Sequence, residues 1–488
     1  MSFLNTLICT DSYKLHHKDQ YPVGTERIYS NWTPRGSRIP GIDRVVFFGL
    51  QYFLQEYMSG KGFFDRPKDE IVSEYRNAVA GFAGDGVAHI EDLHSLGYFP
   101  LEFRALPEGT LCPLRVPMFT VENTDSRFFW LTNYIETIMS ATLWLPSTSA
   151  TLAWRFRKLL DERCKETGGD PSFTRWQGHD FSMRGMGGLE AAMMSGAGHL
   201  LSFTGTDTVP AVQFANKYYP GTDNGLIGAS VPASKHSVMS AGGQESELET
   251  FNRLLDIYPT GIVSIVSDTW NLWDVILKIL PTLKERILRR DGKLVIRPDS
   301  GDPVKIICGD PSLPADNPAS KGVVELLWEI FGGTVTSTGH RLLNSHIGVI
   351  YGDAITYERA DAITAGLARK GFASNNIVFG VGSFTYQFNT RDVFGFAMKA
   401  THATINGVGR NLFKNPITDD GTKKSLTGRI AVFQRKLCDD EPGRLYAIDN
   451  ATQAIESLSR LQTVWKDGQF VRRQSFADVR RVLRENPN

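Results

Sequence analysis

Between about residues 175 and 390, short apolar runs alternate with helix-length amphipathic segments. Such alternation is the signature of repeated βα units feeding a parallel sheet. Runs such as Leu294-Val295-Ile296 are read as buried strands. Their carboxyl ends fall at Asp180-Phe181, Thr206-Asp207, Val231 to His236, Ser267-Asp268, Arg297 to Asp299, Gly352-Asp353 and Gly380 to Ser383. The spacings are uneven, and residues 302–345, with Pro311, Pro314 and Pro318, read as an insertion. The pattern therefore predicts an irregular (β/α) barrel rather than a symmetric eight-unit one.

The flanks differ in texture. Val45 to Leu50 opens into an amphipathic stretch, Gln51 to Met58, and Phe103 to Val121 is broken by Pro107, Gly109, Pro113 and Pro117 into short strands and turns. Phe128 to Trp144 and Ala153 to Cys164 read as two helices. After about residue 390 the short strands return, with hairpin signals at Asn406-Gly407 and Asp467-Gly468. Ser475-Phe476-Ala477-Asp478 reads as a capping box opening a C-terminal helix. The two strand-rich ends predict one discontinuous α+β domain, residues 1–170 plus 390–488, flanking an α/β barrel domain of residues 171–389.

Composition narrows the class. The chain has 488 residues, 41% hydrophobic and 22% charged, with Lys+Arg equal to Asp+Glu. No net field recruits nucleic acid or an anionic membrane, so an anionic ligand must be held by local charge. Five cysteines, widely spaced and without CxxC, argue against a disulfide framework or zinc site and fit a reducing compartment. No apolar run approaches the roughly 20 residues needed to span a bilayer. The N-terminal residues lack a signal-peptide pattern, and a cytoplasmic protein is expected.

The strand ends carry the candidate chemistry. Arg297-Pro298-Asp299-Ser300-Gly301 sets a cation for phosphate and a carboxylate for ribose hydroxyls or a metal at one strand end. Asp268, Asp299 and Asp353 could face one pocket, where a cation such as Mg²⁺ would relieve their repulsion; each could equally cap a helix. His236 could act as acid, base or phosphoryl acceptor, or simply as a structural hydrogen-bonder. No histidine falls in an HxH or HExxH pattern, so no protein-held metal site is expected. Asp207 and Phe181 suit a flat heteroaromatic amide, or an N-cap and a core ring. Phe379-Gly380-Val381-Gly382-Ser383 could cradle a phosphate. Arg391, Lys399, Lys414, Lys423 and Arg429 form either a solvated face or a polyphosphate site.

Asp11-Ser12-Tyr13-Lys14, His179-Asp180-Phe181 with Arg184-Gly185, Gly205-Thr206-Asp207-Thr208, Val231-Pro232 with His236-Ser237, Val266-Ser267-Asp268, the Arg297 run, Gly352-Asp353 and Thr390-Arg391-Asp392 occur in this order. The ordered set, spanning essentially the whole chain, resembles the nicotinamide phosphoribosyltransferase family, type II phosphoribosyltransferases of NAD salvage. The resemblance implies transfer of phosphoribosyl from phosphoribosyl pyrophosphate to nicotinamide, with substrate-bound Mg²⁺. It also implies ATP hydrolysis coupled through a phosphohistidine, and a homodimer with shared active sites.

By the same resemblance, Phe181 and a partner-contributed Tyr13 sandwich the pyridine ring, Arg184 lies beside it and Asp207 accepts the carboxamide N–H. Arg297, Asp299, Gly352, Asp353 and Ser383 surround the phosphoribosyl unit. His236 is the phosphoryl acceptor, oriented by Asp268, with Ser264 nearby. Arg35, Arg391, Lys399, Lys414, Lys423 and Arg429 match polyphosphate-binding positions. Two departures stand out: Lys235 replaces an acidic residue before His236, and Ser383-Phe384 stand where the family tends to carry glycine. A nicotinate phosphoribosyltransferase, or a catalytically silent binding homologue, are the alternatives.

Overall fold

The computed structural model describes residues 5–83, 86–221, 225–353, 355–414, 426–436 and 440–485. The chain divides into two compact units: residues 1–151, 214–225 and 389–488 form one, and residues 152–213 and 226–388 the other.

The second unit is built on a parallel sheet of six strands: β1 (Gly178–Asp180), β2 (Gly205–Thr206), β3 (Thr260–Val266), β4 (Asp291–Arg297), β5 (Ile347–Tyr351) and β6 (Ile377–Val381). Their spatial order is β2-β1-β6-β5-β4-β3. The predicted strand before His236 is reduced to two bridging residues. Ala229 pairs with Gly205 on β2, and Ala233 pairs with Ser264 on β3, so this segment links the two sheet edges. Pro232, which has no N–H to donate, sits inside it and explains why it forms no continuous ladder; its carbonyl still accepts from the Ser264 N–H at 2.9 Å.

Strand alternation separates core from cavity. On β4, Leu294 and Ile296 are fully buried and join Leu283, Ile287, Leu327 and Ile363 of the surrounding helices in one apolar cluster. Their neighbours Lys293, Val295 and Arg297 line a cavity of about 810 Å³. One strand thus packs a helix layer with one face and offers ligand chemistry with the other.

The first unit holds a seven-stranded antiparallel sheet in which Thr25–Thr33 pairs with Ala397–Ile405 and Leu101–Ala105 with Gln462–Lys466, while Phe119–Asn123 lies between the two N-terminal strands and pairs with both. Both hairpin turns form with Asn406-Gly407 and Asp467-Gly468 at positive φ. The capping box is present: Asp478 N–H donates to Ser475 Oγ at 3.0 Å, and Ser475 N–H to Asp478 Oδ2 at 3.1 Å. One expectation fails. The two predicted helices are a single helix, Glu136–Thr167, with Pro146 inside it. Its buried residues, among them Leu143, Leu145, Ala150, Ala153, Phe156 and Leu160, run unbroken past the proline, so packing outweighs the lost backbone hydrogen bond.

Candidate active site

Functional side chains gather at the carboxyl ends of the parallel strands, as expected for a barrel. At the end of β1, Phe181 N–H donates to Val381 O at 3.0 Å, tying the ring to β6. Gly380 makes room for it, since a Cβ there would lie 2.5 Å from the Phe181 ring. The His179 ring sits 4.8 Å from that of Phe181, centroid to centroid, and the Arg297 guanidinium lies 6.0 Å from the Phe181 centroid.

Asp207, at the end of β2, is held by two donors. His179 Nε2 is 2.9 Å from its Oδ1, and Ser230 Oγ donates to the same oxygen. Burial alone would raise its pKa; the two hydrogen bonds, with the charges of His179 and Arg297, outweigh burial and hold it below the ordinary carboxylate value. Oδ2 has no hydrogen-bond partner among the described residues and is left to accept from a ligand.

A second group stands on β3, β4 and the segment before His236. Asp268 Oδ2 accepts from the N–H groups of Asp299 and Ser300, each at 2.8 Å. Arg297 Nη2 lies 3.9 Å from Asp299 Oδ2. The His236 ring is held on both sides, Nε2 at 3.0 Å from Asp299 Oδ1 and Nδ1 at 3.1 Å from Thr269 Oγ1. This corrects the expectation that Asp268 orients the ring: Asp268 instead fixes the loop that carries Asp299. Burial lowers the Arg297 pKa, and Arg184 lowers it further, against the opposing charges of Asp299, Asp207 and Asp268. Ser264 Oγ, Asp268 Oδ1 and Arg297 Nε are buried without a hydrogen-bond partner, a costly state that a bound polar ligand would relieve. Gly352 N–H donates to Pro298 O at 3.2 Å, which brings the Gly352-Asp353 turn against the Arg297 loop. Ser383 begins the short helix after β6.

The remaining expected residues lie in the first unit. Partial desolvation lowers the Lys399 pKa, and the charges of Arg35, Lys414 and Arg391 lower it further against that of Glu136, so these four cations form one basic cluster beside a carboxylate. Tyr13 is 58% exposed and lines a cleft with Lys14, Glu136, Trp144 and Arg391. Lys423 lies outside the described residues. Arg429 is not available to phosphate. Its guanidinium donates to Glu122 at 2.8 and 3.1 Å and to both oxygens of Glu456, and it stacks 4.5 Å from the Tyr29 ring centroid. Its role is internal, because two carboxylates already occupy its donors.

Sequence reasoning assigned no role to His179, Ser230 or Thr269. His179 carried a signal, standing two residues from Phe181 on the same strand face. Ser230 and Thr269 reach the site through loop geometry that no local pattern encodes.

Residues 176–469 match the family model described as the nicotinate phosphoribosyltransferase (NAPRTase) family, and residues 5–102 match the nicotinamide phosphoribosyltransferase N-terminal domain. The chain belongs to this phosphoribosyltransferase family of enzymes. It is 49% identical to the nicotinamide phosphoribosyltransferase of Acinetobacter baylyi, over 99% of this chain and 98% of that one. It is 33% identical to the nicotinamide phosphoribosyltransferase of Xanthomonas campestris, over 98% and 97% of the two chains. Among solved structures it shares the fold of human nicotinic acid phosphoribosyltransferase, with a TM-score of 0.57 and 16% identity over 97% of this chain and 93% of that one. It likewise shares that of nicotinate-nucleotide pyrophosphorylase from Pyrococcus furiosus, with a TM-score of 0.57 and 14% identity over 99% and 95%. No helix among the described residues is long and apolar enough to cross a membrane.

Proposed function

We propose that this protein joins nicotinamide to the phosphoribosyl group of phosphoribosyl pyrophosphate, releasing nicotinamide mononucleotide and pyrophosphate in NAD salvage. The observation that carries this reading is the Asp207 carboxylate, kept anionic by His179 and Ser230 beside the Phe181 ring. A carboxamide N–H can donate to it, whereas the carboxylate of nicotinate would meet a like charge.

In the reaction, the ribosyl C1–O bond to pyrophosphate breaks as the C1–N bond to the pyridine forms. Charge develops on both partners, and fixed cations and carboxylates are the means of stabilising it. Arg297 holds the ribose phosphate region together with Asp299, with Arg184 beside the base. Asp299, Gly352, Asp353 and Ser383 surround the sugar phosphate, and Ser264 Oγ is free to bind the base. The basic cluster of Arg35, Arg391, Lys399 and Lys414 suits a polyphosphate. The active protein is a homodimer in which the partner subunit's Tyr13 closes over the pyridine ring opposite Phe181.

Mg²⁺ fits this site. One ligand atom each from His236, Asp268 and Asp299 lie within 4.8 Å of one another, and Asp268 Oδ1 is a buried oxygen without a partner. Mg²⁺ prefers oxygen, so Asp268 and Asp299 would hold it together with substrate phosphates. When bound it would neutralise charge on the leaving pyrophosphate.

His236 is the phosphoryl acceptor for ATP. A ring nitrogen attacks the γ-phosphorus, the bond to the β-phosphate oxygen breaks, and ADP leaves; water later cleaves the phosphohistidine. The exposed ring, braced by Asp299 and Thr269, supports this role. Lys235 stands at the N-cap position of the short helix that begins at His236, without a side-chain capping bond, and adds a cation where the incoming phosphates would lie. The protein works in the cytoplasm, a location suited to a sequence whose five cysteines are widely spaced and without CxxC.

Incubation with nicotinamide, phosphoribosyl pyrophosphate and Mg²⁺, with and without ATP, tests this reading. Nicotinamide mononucleotide and pyrophosphate are expected, with acid-labile phosphate on His236 when ATP is present. No product from nicotinamide would overturn the transferase reading, and no labile phosphate would overturn the coupling alone.

A further inference from the structure

Behind the strand ends that carry Phe181 and Asp207 runs a buried hydrogen-bond line with no part in the transfer chemistry itself. His199 ends the helix Leu189–His199 and is fully buried. Its Nε2 lies 3.1 Å from Gly205 O on β2, and its Nδ1 lies 2.6 Å from Tyr386 Oη. Phe203 stacks on the imidazole with centroids 5.0 Å apart and fixes its plane.

The partners dictate where the protons sit. A carbonyl can only accept, so Nε2 carries the hydrogen and donates to Gly205; Nδ1 is then bare and accepts from the Tyr386 O–H. That arrangement needs a neutral ring and a protonated phenol. Burial supplies both: it lowers the His199 pKa to about 4 against the charge of Asp180, and raises that of Tyr386 well above its ordinary value.

Each end of the line reaches the proposed site in one short step. Gly205 pairs with His179 across β1 and β2 and stands two residues before Asp207. A Cβ at Gly205 would lie 2.6 Å from His179 Nδ1, so the ring that holds Asp207 rests against that backbone. Tyr386 sits in the helix Ser383–Gln387, whose first residue packs on Gly185 beside Arg184. Gln387 Oε1 accepts from Gly187 N–H at 2.8 Å, and Thr385 Oγ1 donates to Ile355 O at 3.0 Å. The helix is thus braced against the Arg184 loop and the segment after Asp353.

We propose that His199 and Tyr386 are positioning residues for base selection: the Tyr386–His199–Gly205 line sets the backbone from which His179 and Asp207 meet the base, and locks it to the helix that presents Ser383. Both side chains are fully buried and, given that Asp207 receives the carboxamide as proposed, act through it rather than on the substrate.

Steady-state kinetics on the full chain with Tyr386→Phe, His199→Leu and His199→Gln tests this role. Tyr386→Phe keeps the ring and leaves Nδ1 without its donor, so the nicotinamide KM should rise at least about threefold with kcat within about twofold of wild type. His199→Leu removes both bonds and should raise that KM at least about tenfold. In His199→Gln the side-chain amide donates to Gly205 and accepts from Tyr386, and the KM should stay within about threefold of wild type. If His199→Leu does not fold, Tyr386→Phe decides. In an Asp207→Asn background, Tyr386→Phe should change the nicotinamide KM by less than about 1.5-fold, because the group it positions is gone. An unchanged nicotinamide KM in Tyr386→Phe, or the same rise with and without the Asp207 carboxylate, would overturn the positioning role alone. Asp207→Asn with a wild-type nicotinamide KM would overturn the base reading, and this role with it.

Discussion

His179 Nε2 lies 2.9 Å from Asp207 Oδ1, and that contact links the β1 and β2 strand ends at the proposed base site. The imidazole anchors one carboxylate oxygen and leaves the other for a ligand. His179→Phe keeps a ring of similar size beside Phe181 and removes the hydrogen bond. The net value of such a bond to a charged group is about 1.5–3 kcal/mol. Steady-state kinetics should show KM for nicotinamide raised by about tenfold or more, with KM for phosphoribosyl pyrophosphate unchanged. Equal rises in both would mean that His179 acts on the whole site rather than on Asp207.

Gly380→Ala tests the seat of Phe181. The new methyl would lie 2.5 Å from the ring, so the ring must move. Overpacking of this kind costs about 1–3 kcal/mol. A lower Tm and a raised nicotinamide KM are expected together; nicotinamide binding as in wild type would show that the Phe181 position is not what holds the base.

The Arg429 network gives the opposite pattern. Glu456, with a side chain only 6% exposed, bridges Arg429 and Arg104. Removing Arg429 leaves Glu122 without its partner and Glu456 with Arg104 alone, a loss approaching the roughly 3–5 kcal/mol of a broken buried pair but reduced by the partial exposure of Arg429. Arg429→Met should lower the denaturant midpoint strongly and leave KM for phosphoribosyl pyrophosphate near wild type in the folded fraction. A selective rise in that KM, with stability intact, would restore Arg429 to the phosphate site.

Glu108 gives a pH dependence. It is fully buried and accepts from Gly49 N–H and Gln51 N–H, each at 2.6 Å, and from Tyr219 Oη at 2.8 Å. Burial outweighs these bonds and pushes its pKa up to about 7. A carboxyl with a raised native pKa binds its proton more tightly in the folded state. Its contribution to stability therefore falls as pH rises from the unfolded value near 4.5 through about 7, then levels off. Tm measured across that window should decline less in Glu108→Gln than in wild type. Parallel curves would remove Glu108 as the cause.

The barrel strands were legible because each joins a short apolar run to a polar end, as in Leu294-Val295-Ile296 before Arg297. The hairpins and the capping box were legible because Asn406-Gly407, Asp467-Gly468 and Ser475 with Asp478 act through local geometry. The break expected between the two helices around Pro146 was not real, because the helix is decided by its buried face rather than by one residue's propensity. The partners of His236 were misread for a related reason. Asp268, Thr269 and Asp299 all stand near it, and only the loop path decides that Asp268 turns to the backbone of Asp299 and Ser300. Arg429 looked like its basic neighbours in sequence, but its acceptors, Glu122 and Glu456, lie far away along the chain.

In the proposed reaction the Asp207 charge chooses the base. The direct measurement is kcat/KM for nicotinamide and for nicotinate in wild type and Asp207→Asn, at one pH with phosphoribosyl pyrophosphate and Mg²⁺ saturating. Wild type is expected to prefer nicotinamide and the ratio to fall by at least about tenfold in Asp207→Asn, since a like-charge clash of about 1.4 kcal/mol already gives that factor. An unchanged ratio, with both rates reduced equally, would contradict it and leave Asp207 with a structural role only.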